Sequence, residues 1–436
     1  MTVPDVRSLV AYTADPWESV LPALRYRAPA QIIGIEVIQG NQGPDVDLSP
    51  IPEADLVLVQ RDFPRFAGPF ADLLQNAWQY RKPIVYEIDD LLFALPENHV
   101  AHHDLSAMLF PMLWGLQSAD LVTVSTPALA QALAPFNPHT RLLPNYLDDR
   151  LWSFRRPAPA ENASDQVVIG YMGGGTHATD LALVAPILHS LLDRFPDRLL
   201  LHFWGGEPPA QLRDLPQVRW TPLDLLDYAG FARFFSDQTC DIAIAPLEDT
   251  PFNQAKSAIK FLEYSALGFP GVYSQVAPYQ AVIQTGIIGF HAATPADWEA
   301  HLLALIENPD LRFSVATAAQ DTIRQDWLLS QHAGAWQAAY QEATVLAAQP
   351  DNAHQARFPL LARAASQALQ RQLSIEQELA DSKALAELLR RQLDEIMNSR
   401  SWQALQKLQS MRTRLIPIES RREKLLQNLR LLSRRP

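Results

Sequence analysis

One pattern, run twice, constrains this chain most: short apolar segments alternating with longer stretches that carry the 3.6-residue period of amphipathic helices. Buried parallel strands read as short, often β-branched apolar runs bounded by turn residues. In the first half such runs fall at residues 8–12, 32–38, 56–60, 84–87 and 121–125, with helical stretches at 70–80 and 126–133. The pattern restarts with runs at 167–171, 199–204, 218–220, 242–245 and 271–274, and helical stretches at 180–195, 223–235 and 256–267. Each half therefore predicts a parallel sheet covered on both faces: an α/β chain with two Rossmann-like domains facing a cleft. Ligands of such sheets bind beyond the carboxyl ends of the strands, so functional residues are sought where the apolar runs stop.

Length and composition fit this reading. The 436 residues, 48% hydrophobic and 19% charged, supply two cores and an appendage. We expect a first domain at 1–155, a Pro/Ala-rich linker at 155–162, a second domain at 163–348 ending in helices over 297–347, and a helical extension at 351–436. The extension has no glycine from residue 365 onward, and Leu379, Ala386, Leu389, Leu393 and Ile396 follow heptad-like spacing. It reads as a helical hairpin or short coiled coil, broken at Pro417. The net charge of -12 argues against nucleic-acid binding. From Arg400, however, ten Lys and Arg residues face only Glu419 and Glu423.

The one cysteine, Cys240, precludes an intrachain disulfide and suits a reducing compartment. No basic-then-apolar stretch begins at Met1–Asp5, and no uncharged apolar run of about 18 residues occurs. The expected location is cytoplasmic, with peripheral contact on the inner face of the cell membrane or homo-oligomerisation as two uses of the C-terminal helices. The triplet Asn162-Ala163-Ser164 reads as chance in such a chain.

Four segments carry candidate chemistry. Gly173, Gly174 and Gly175, followed by Thr176 and His177, form a glycine-rich turn between a strand and a helix. Its amides and the helix N-terminus suit a pyrophosphate; the bland reading is a tight turn with no ligand. It is not the G-x-G-x-x-G fingerprint, so hydride chemistry is not indicated. In the stretch 251–264, Asn253, Lys256, Ser257, Lys260 and Glu263 surround a helix start expected near Ala255. Lys256, Lys260 and Glu263 then share one face: two cations for a diphosphate and a carboxylate for sugar hydroxyls, or a solvated face with Glu263 paired to Lys260. Glu87, Asp89 and Asp90 end a strand and suit acceptor hydroxyls, a metal, or helix capping. His99, His102 and His103 lie beside Asp104, but nothing further along completes a zinc-like set, so no metal is expected. His103 or His102 is a candidate acceptor contact or proton shuttle.

The segments VYEIDDLLF (85–93), 120–126 with Leu143-Pro144-Asn145, IGYMGGGTHATD (169–180) and 241–274 resemble bacterial glycosyltransferases of family 4, also called group 1. The similarity is nearest to the polysaccharide and O-antigen branch with rhamnosyltransferase-like members, over roughly residues 5–345. The resemblance implies a GT-B fold, a nucleotide-sugar donor held mainly by the second domain, and a glycan or lipid-linked acceptor held mainly by the first. It further implies transfer with retention, no obligatory metal and no cofactor beyond the nucleotide-sugar substrate. Glu263 matches the family's ribose-binding glutamate. The glutamate often found eight residues earlier is Ala255 here, a departure that leaves Asn253 or Lys256 as stand-ins. Lys256 and Lys260 replace the usual phosphate pair, with Arg27 and Arg61 as further phosphate or acceptor candidates. Asp89 or Asp90 would orient the acceptor hydroxyl. NSRSWQALQKL (398–408) resembles a segment near coiled-coil ends in multidomain glycan-assembly glycosyltransferases. The rival expectations are a catalytically degenerate nucleotide-sugar-binding scaffold and a nucleotide-sugar epimerase.

Overall fold

The computed structural model describes residues 5–106, 108–159, 165–223, 227–349 and 359–398, together with Lys407, Met411, Arg421 and Lys424. The first half contributes β1 (Ser8–Tyr12), β2 (Glu36–Gln39), a small antiparallel ribbon of β3 (Asn41–Gln42) and β4 (Asp45–Val46), then β5 (Leu56–Gln60), β6 (Ile84–Ile88), β7 (Leu121–Val124) and β8 (Thr140–Leu142). Six of these form one sheet in the order β2-β1-β5-β6-β7-β8, parallel throughout. The second half repeats the design with β9 (Val167–Gly173), β10 (Leu199–Gly205), β11 (Val218–Thr221), β12 (Ile242–Ala245), β13 (Gly271–Ser274) and β14 (Phe290–Ala292). Their order is β11-β10-β9-β12-β13-β14, again parallel.

The central strands are buried on both faces: every residue of β5, β6, β7, β12 and β13 is buried, the polar Gln60, Glu87, Thr123 and Ser274 among them. Four departures from expectation have local causes. The apolar run at 32–38 divides, because Ile33 ends the helix Ala28–Ile33 and Gly34, at φ 76°, turns the chain so that β2 starts only at Glu36. The helix expected over 223–235 starts at Tyr228, behind the N-cap Asp227, whose carboxylate accepts from the Gly230 amide. The helix expected at 256–267 starts at Ile259; Pro251–Gln254 is a separate turn capped by Thr250, and the backbone breaks between them. The described part of the linker is pinned: Arg155 N–H donates to the Ala266 carbonyl, and the Gln320 amide donates to the Arg155 carbonyl. The expected triplet at 162–164 lies outside the described residues.

The helices Pro295–Glu307 and Pro309–Asp326 follow the second sheet, and the helix Gly334–Ala347 returns to the first. Its Trp336, Ala339, Tyr340 and Ala343 pack with Leu9, Leu56, Val85 and Leu121, and Trp336 Nε1 donates to the Arg25 carbonyl at 2.7 Å. The chain through Arg363 is one compact unit, and a second unit follows. A continuous helix, Pro359–Asn398, runs into that second unit, and most of what a second arm of a hairpin would need lies outside the described residues. Its described side chains between 371 and 398 are all exposed. The expected break at Pro417 and most of the basic tail lie outside the described residues. No helix among the described residues is long and apolar enough to cross a membrane.

Candidate functional site

The carboxyl ends of both sheets carry the polar residues, and loops of the two halves meet there. Thr126 caps the helix Pro127–Leu133 by accepting from Leu129 N–H, and its hydroxyl donates to the Ala255 carbonyl of the other half at 2.7 Å. Asn145 Nδ2 donates to Ser257 Oγ at 2.8 Å across the same junction. Phe252 and Ala255 belong to the first half's apolar cluster. Position 255 is 1% exposed and turned into the first half, where a carboxylate would be buried among apolar groups.

In the second half, β9 ends in the glycine turn. A side chain at Gly173 would collide with the Tyr171 hydroxyl, whereas Gly174 and Gly175 have nothing within 4 Å of the corresponding position. Gly174, Gly175 and Thr176 are exposed, leaving their backbone open to a ligand. The turn borders a cavity of about 440 Å³ shared with Gly206, Glu207, Pro209 and Arg213 after β10. The two strand ends touch: Gly206 N–H donates to the Gly173 carbonyl at 2.6 Å, and Gly205 takes φ 88° to allow it.

Asp180, on the following helix, ties this turn to the loop after β12. Its carboxylate meets His177 Nδ1 at 2.7 Å and accepts from the Glu248 amide at 2.7 Å and from Asn253 Nδ2 at 3.1 Å. Asn253 also donates to the Glu248 carbonyl, so its amide nitrogen anchors the loop rather than facing a ligand. Lys260 and burial together hold His177 neutral, at about 4, against the pull of Asp180.

Lys256 lies in the break before the helix, not on its face. Its ammonium sits 4.6 Å from the centre of the Phe252 ring, and that of Lys260 sits 5.6 Å from the Tyr171 ring. Among the described residues neither lysine has a carboxylate within ion-pair distance. Burial, and then Lys256, bring Lys260 down to about 8. Glu263 is 4% exposed and accepts from the Tyr228 hydroxyl at 3.2 Å; that hydroxyl in turn accepts from Trp152 Nε1 at 3.1 Å. Burial lifts Glu263 to about 7, opposed by Lys260 and by the Tyr228 bond.

The first half's strand ends are built differently. Glu87 is not available to a ligand: it is 1% exposed, paired with Arg25 Nε at 2.6 Å, and accepts from Gln60 Nε2. Arg25 also donates to the Leu143 carbonyl and to Asn145 Oδ1, so this network reaches Ser257. Arg61 takes a left-handed backbone, φ 42°, a conformation that costs a non-glycine residue ~1–2 kcal/mol. It is held there by its amide, which donates to the Glu87 carbonyl, and by the Tyr86 hydroxyl on its own carbonyl. Its guanidinium lies 3.5 Å from Asp15, 3.5 Å from Asp62 and 3.8 Å from Asp89. Burial works against that charge, but the carboxylates hold it above its ordinary value. Asp89 is 8% exposed and its Oδ1 has no hydrogen-bond donor; burial, then Asp90, raise it to about 8. Asp90 is half-buried at the same strand end.

Arg27 is engaged elsewhere, bidentate to Glu18 and facing a separate cavity of about 570 Å³. His103 lies on the short helix His102–Ser106. His99, from the preceding turn, packs edge-on against Phe252, 5.7 Å between ring centres, and is lowered by burial and then by Lys256. Sequence reading passed over Asp180, Tyr228, Arg25 and Asn145. Asp180 alone had a local signal, closing the stretch that begins at the glycines. No group of three His, Cys, Asp or Glu among the described residues is placed to hold a metal.

No family model and no curated protein matches this sequence. Solved structures do match by shape. HepE from Anabaena, in complex with UDP-glucose, has a TM-score of 0.52 at 14% identity, covering 76% of this chain and 97% of that one. Trehalose-6-phosphate synthase OtsA has a TM-score of 0.53 at 11% identity, over 77% and 98%. Sucrose-phosphate synthase from Thermosynechococcus elongatus has a TM-score of 0.50 at 15% identity, over 75% and 86%. The two parallel-sheet Rossmann-like domains, with a helical segment after them, therefore have the GT-B fold of these glycosyltransferases.

Proposed function

We propose that this chain is a glycosyltransferase that moves a sugar from a nucleoside-diphosphate donor to a hydroxyl of a glycan or lipid-linked acceptor. The observation that carries the reading is the pair Lys256 and Lys260: partly buried cations without a carboxylate partner among the described residues, in the same half as an open glycine turn. An anion with two negative groups satisfies that arrangement, and Glu263 with Tyr228 supplies a buried acceptor for ribose hydroxyls. HepE is described with UDP-glucose on the same fold, which supports a nucleotide-sugar as the anion.

In this reading the lysines and the amides of Gly174 and Gly175 stabilise the leaving diphosphate as its charge develops, without need of a metal. Asp89, whose buried Oδ1 lacks a donor, orients the incoming hydroxyl through a hydrogen bond, and Arg61 holds Asp89 in place. Asp90 and His103 remain acceptor-side candidates. Retention at the anomeric carbon and a role in cell-surface polysaccharide synthesis belong to the proposal through the family resemblance. Closure of the two halves completes the site.

The test is product analysis with a panel of UDP-, GDP- and dTDP-sugars, with and without glycan or polyprenyl-linked acceptors. The reading expects nucleoside diphosphate release that rises with one acceptor, and a product longer by one sugar. Conversion of the donor to an isomer without nucleotide release would instead identify an epimerase. Donor binding with no turnover on any acceptor would identify a scaffold.

A further inference from the structure

The helix Pro359–Asn398 is 40 residues long, yet every side chain described between 371 and 398 is exposed. Ile375 is 57% exposed, Leu379 53%, and Leu389 54%. Most helical stability in proteins comes from packing an apolar face, and every described side chain over those residues is exposed. The sequence spacing 375, 379, 382, 386, 389, 393, 396 alternates steps of four and three, the seam of a coiled coil. It places Ile375, Ser382, Leu389 and Ile396 at d and Leu379, Ala386 and Leu393 at a.

We infer that this helix is a parallel, in-register coiled coil formed with further copies of the same chain. Charge selects that occupant. Glu378 falls at g and Lys383 at the following e, the two positions that meet between parallel strands, and neither has an ion-pair partner among the described residues. One heptad earlier the sequence repeats the device with reversed sign, Arg371 at g and Glu376 at e. In an antiparallel pair, e faces e and g faces g, so neither of these g–e charge pairs forms between strands.

The experiment is mass determination of the full-length chain by light scattering across a concentration series, with anionic-lipid vesicles in a parallel arm. The native chain is expected to be a homo-oligomer. Leu379→Asp with Leu389→Asp should yield monomer, raising the dissociation constant by at least about 100-fold. Glu378→Lys should weaken assembly several-fold, and adding Lys383→Glu should restore it, because parallel strands exchange the two signs. Donor-induced thermal stabilisation of the variants checks that the first unit stays folded. A monomeric native chain, an oligomer indifferent to the leucine substitutions, or a monomer recovered on vesicles through this helix would overturn the inference, as would failure of the second charge change to rescue the first.

Discussion

The two strand-end clusters face the same cleft but solve opposite electrostatic problems. The first half gathers carboxylates, Asp15, Asp62 and Asp89, around one arginine whose charge they satisfy. The second half keeps two lysines apart from any carboxylate partner among its described residues, although burial and then Lys256 bring Lys260 down. A protein keeps unpaired, half-buried cations at a cost, and the cost is recovered when an anion arrives. The difference supports the proposal that the leaving group sits in the second half and the hydroxyl in the first.

The largest expected effect breaks the cationic side. Lys256→Ala combined with Lys260→Ala should weaken nucleoside diphosphate binding by roughly 100-fold or more, taking each charge-assisted contact at about 1.5–3 kcal/mol. Calorimetric titration measures it, and an affinity unchanged in the double variant breaks the comparison. Next, Asp89→Asn removes the acceptor-side carboxylate while keeping its volume. Turnover should fall about 10–100-fold, the loss of a hydrogen bond that orients the acceptor, with donor affinity altered less than about twofold. A loss of donor affinity instead would place Asp89 with the wrong substrate.

A smaller effect is expected at Asp180, which touches no ligand in this account but binds His177, Glu248 and Asn253 together. Asp180→Asn should raise the donor KM by about tenfold with little change in kcat, the loss of one or two positioning hydrogen bonds. The last effect concerns stability rather than binding or turnover. The Glu263 carboxyl rises from 4.5 to about 7 in the folded chain, so the folded state keeps this proton longer than the unfolded state does. Stability from this group is therefore lost as pH climbs from about 4.5 to 7, by up to about 3 kcal/mol. Glu263→Gln removes that slope: between pH 5 and 7 the native chain should lose more stability in urea than the variant does. Equal slopes would show that Glu263 titrates normally.

The fold was legible because its central strands are buried on both faces. Runs such as Leu56–Gln60, Ile242–Ala245 and Gly271–Ser274 are apolar up to a terminal Gln60 or Ser274, and their ends coincide with the observed strands. Edge strands leave a weaker trace, so β8, intermediate to exposed, and the three-residue β14 passed unnoticed. The site was legible only where it is local. The glycine turn announces itself, but the helix break at Ala255–Ala258 does not. There, the Thr126 hydroxyl, 129 residues away, holds the Ala255 carbonyl out of the helix. Glu87 looked like a ligand contact because its partner Arg25 lies 62 residues earlier. Arg27 looked available because the sequence does not reveal that Glu18 grips it.

The most direct test of the division of labour is thermal stabilisation of the full-length chain by UDP, GDP and dTDP, repeated on Glu263→Ala, on the double lysine variant and on Asp89→Asn. A ligand at 100 times its Kd adds about 2.7 kcal/mol to the folded state. The account predicts a clear rise in Tm with one nucleotide, abolished in the lysine variant, reduced in Glu263→Ala and retained in Asp89→Asn. No rise with any nucleotide in well-folded protein, or a rise that survives the loss of both lysines, would contradict it.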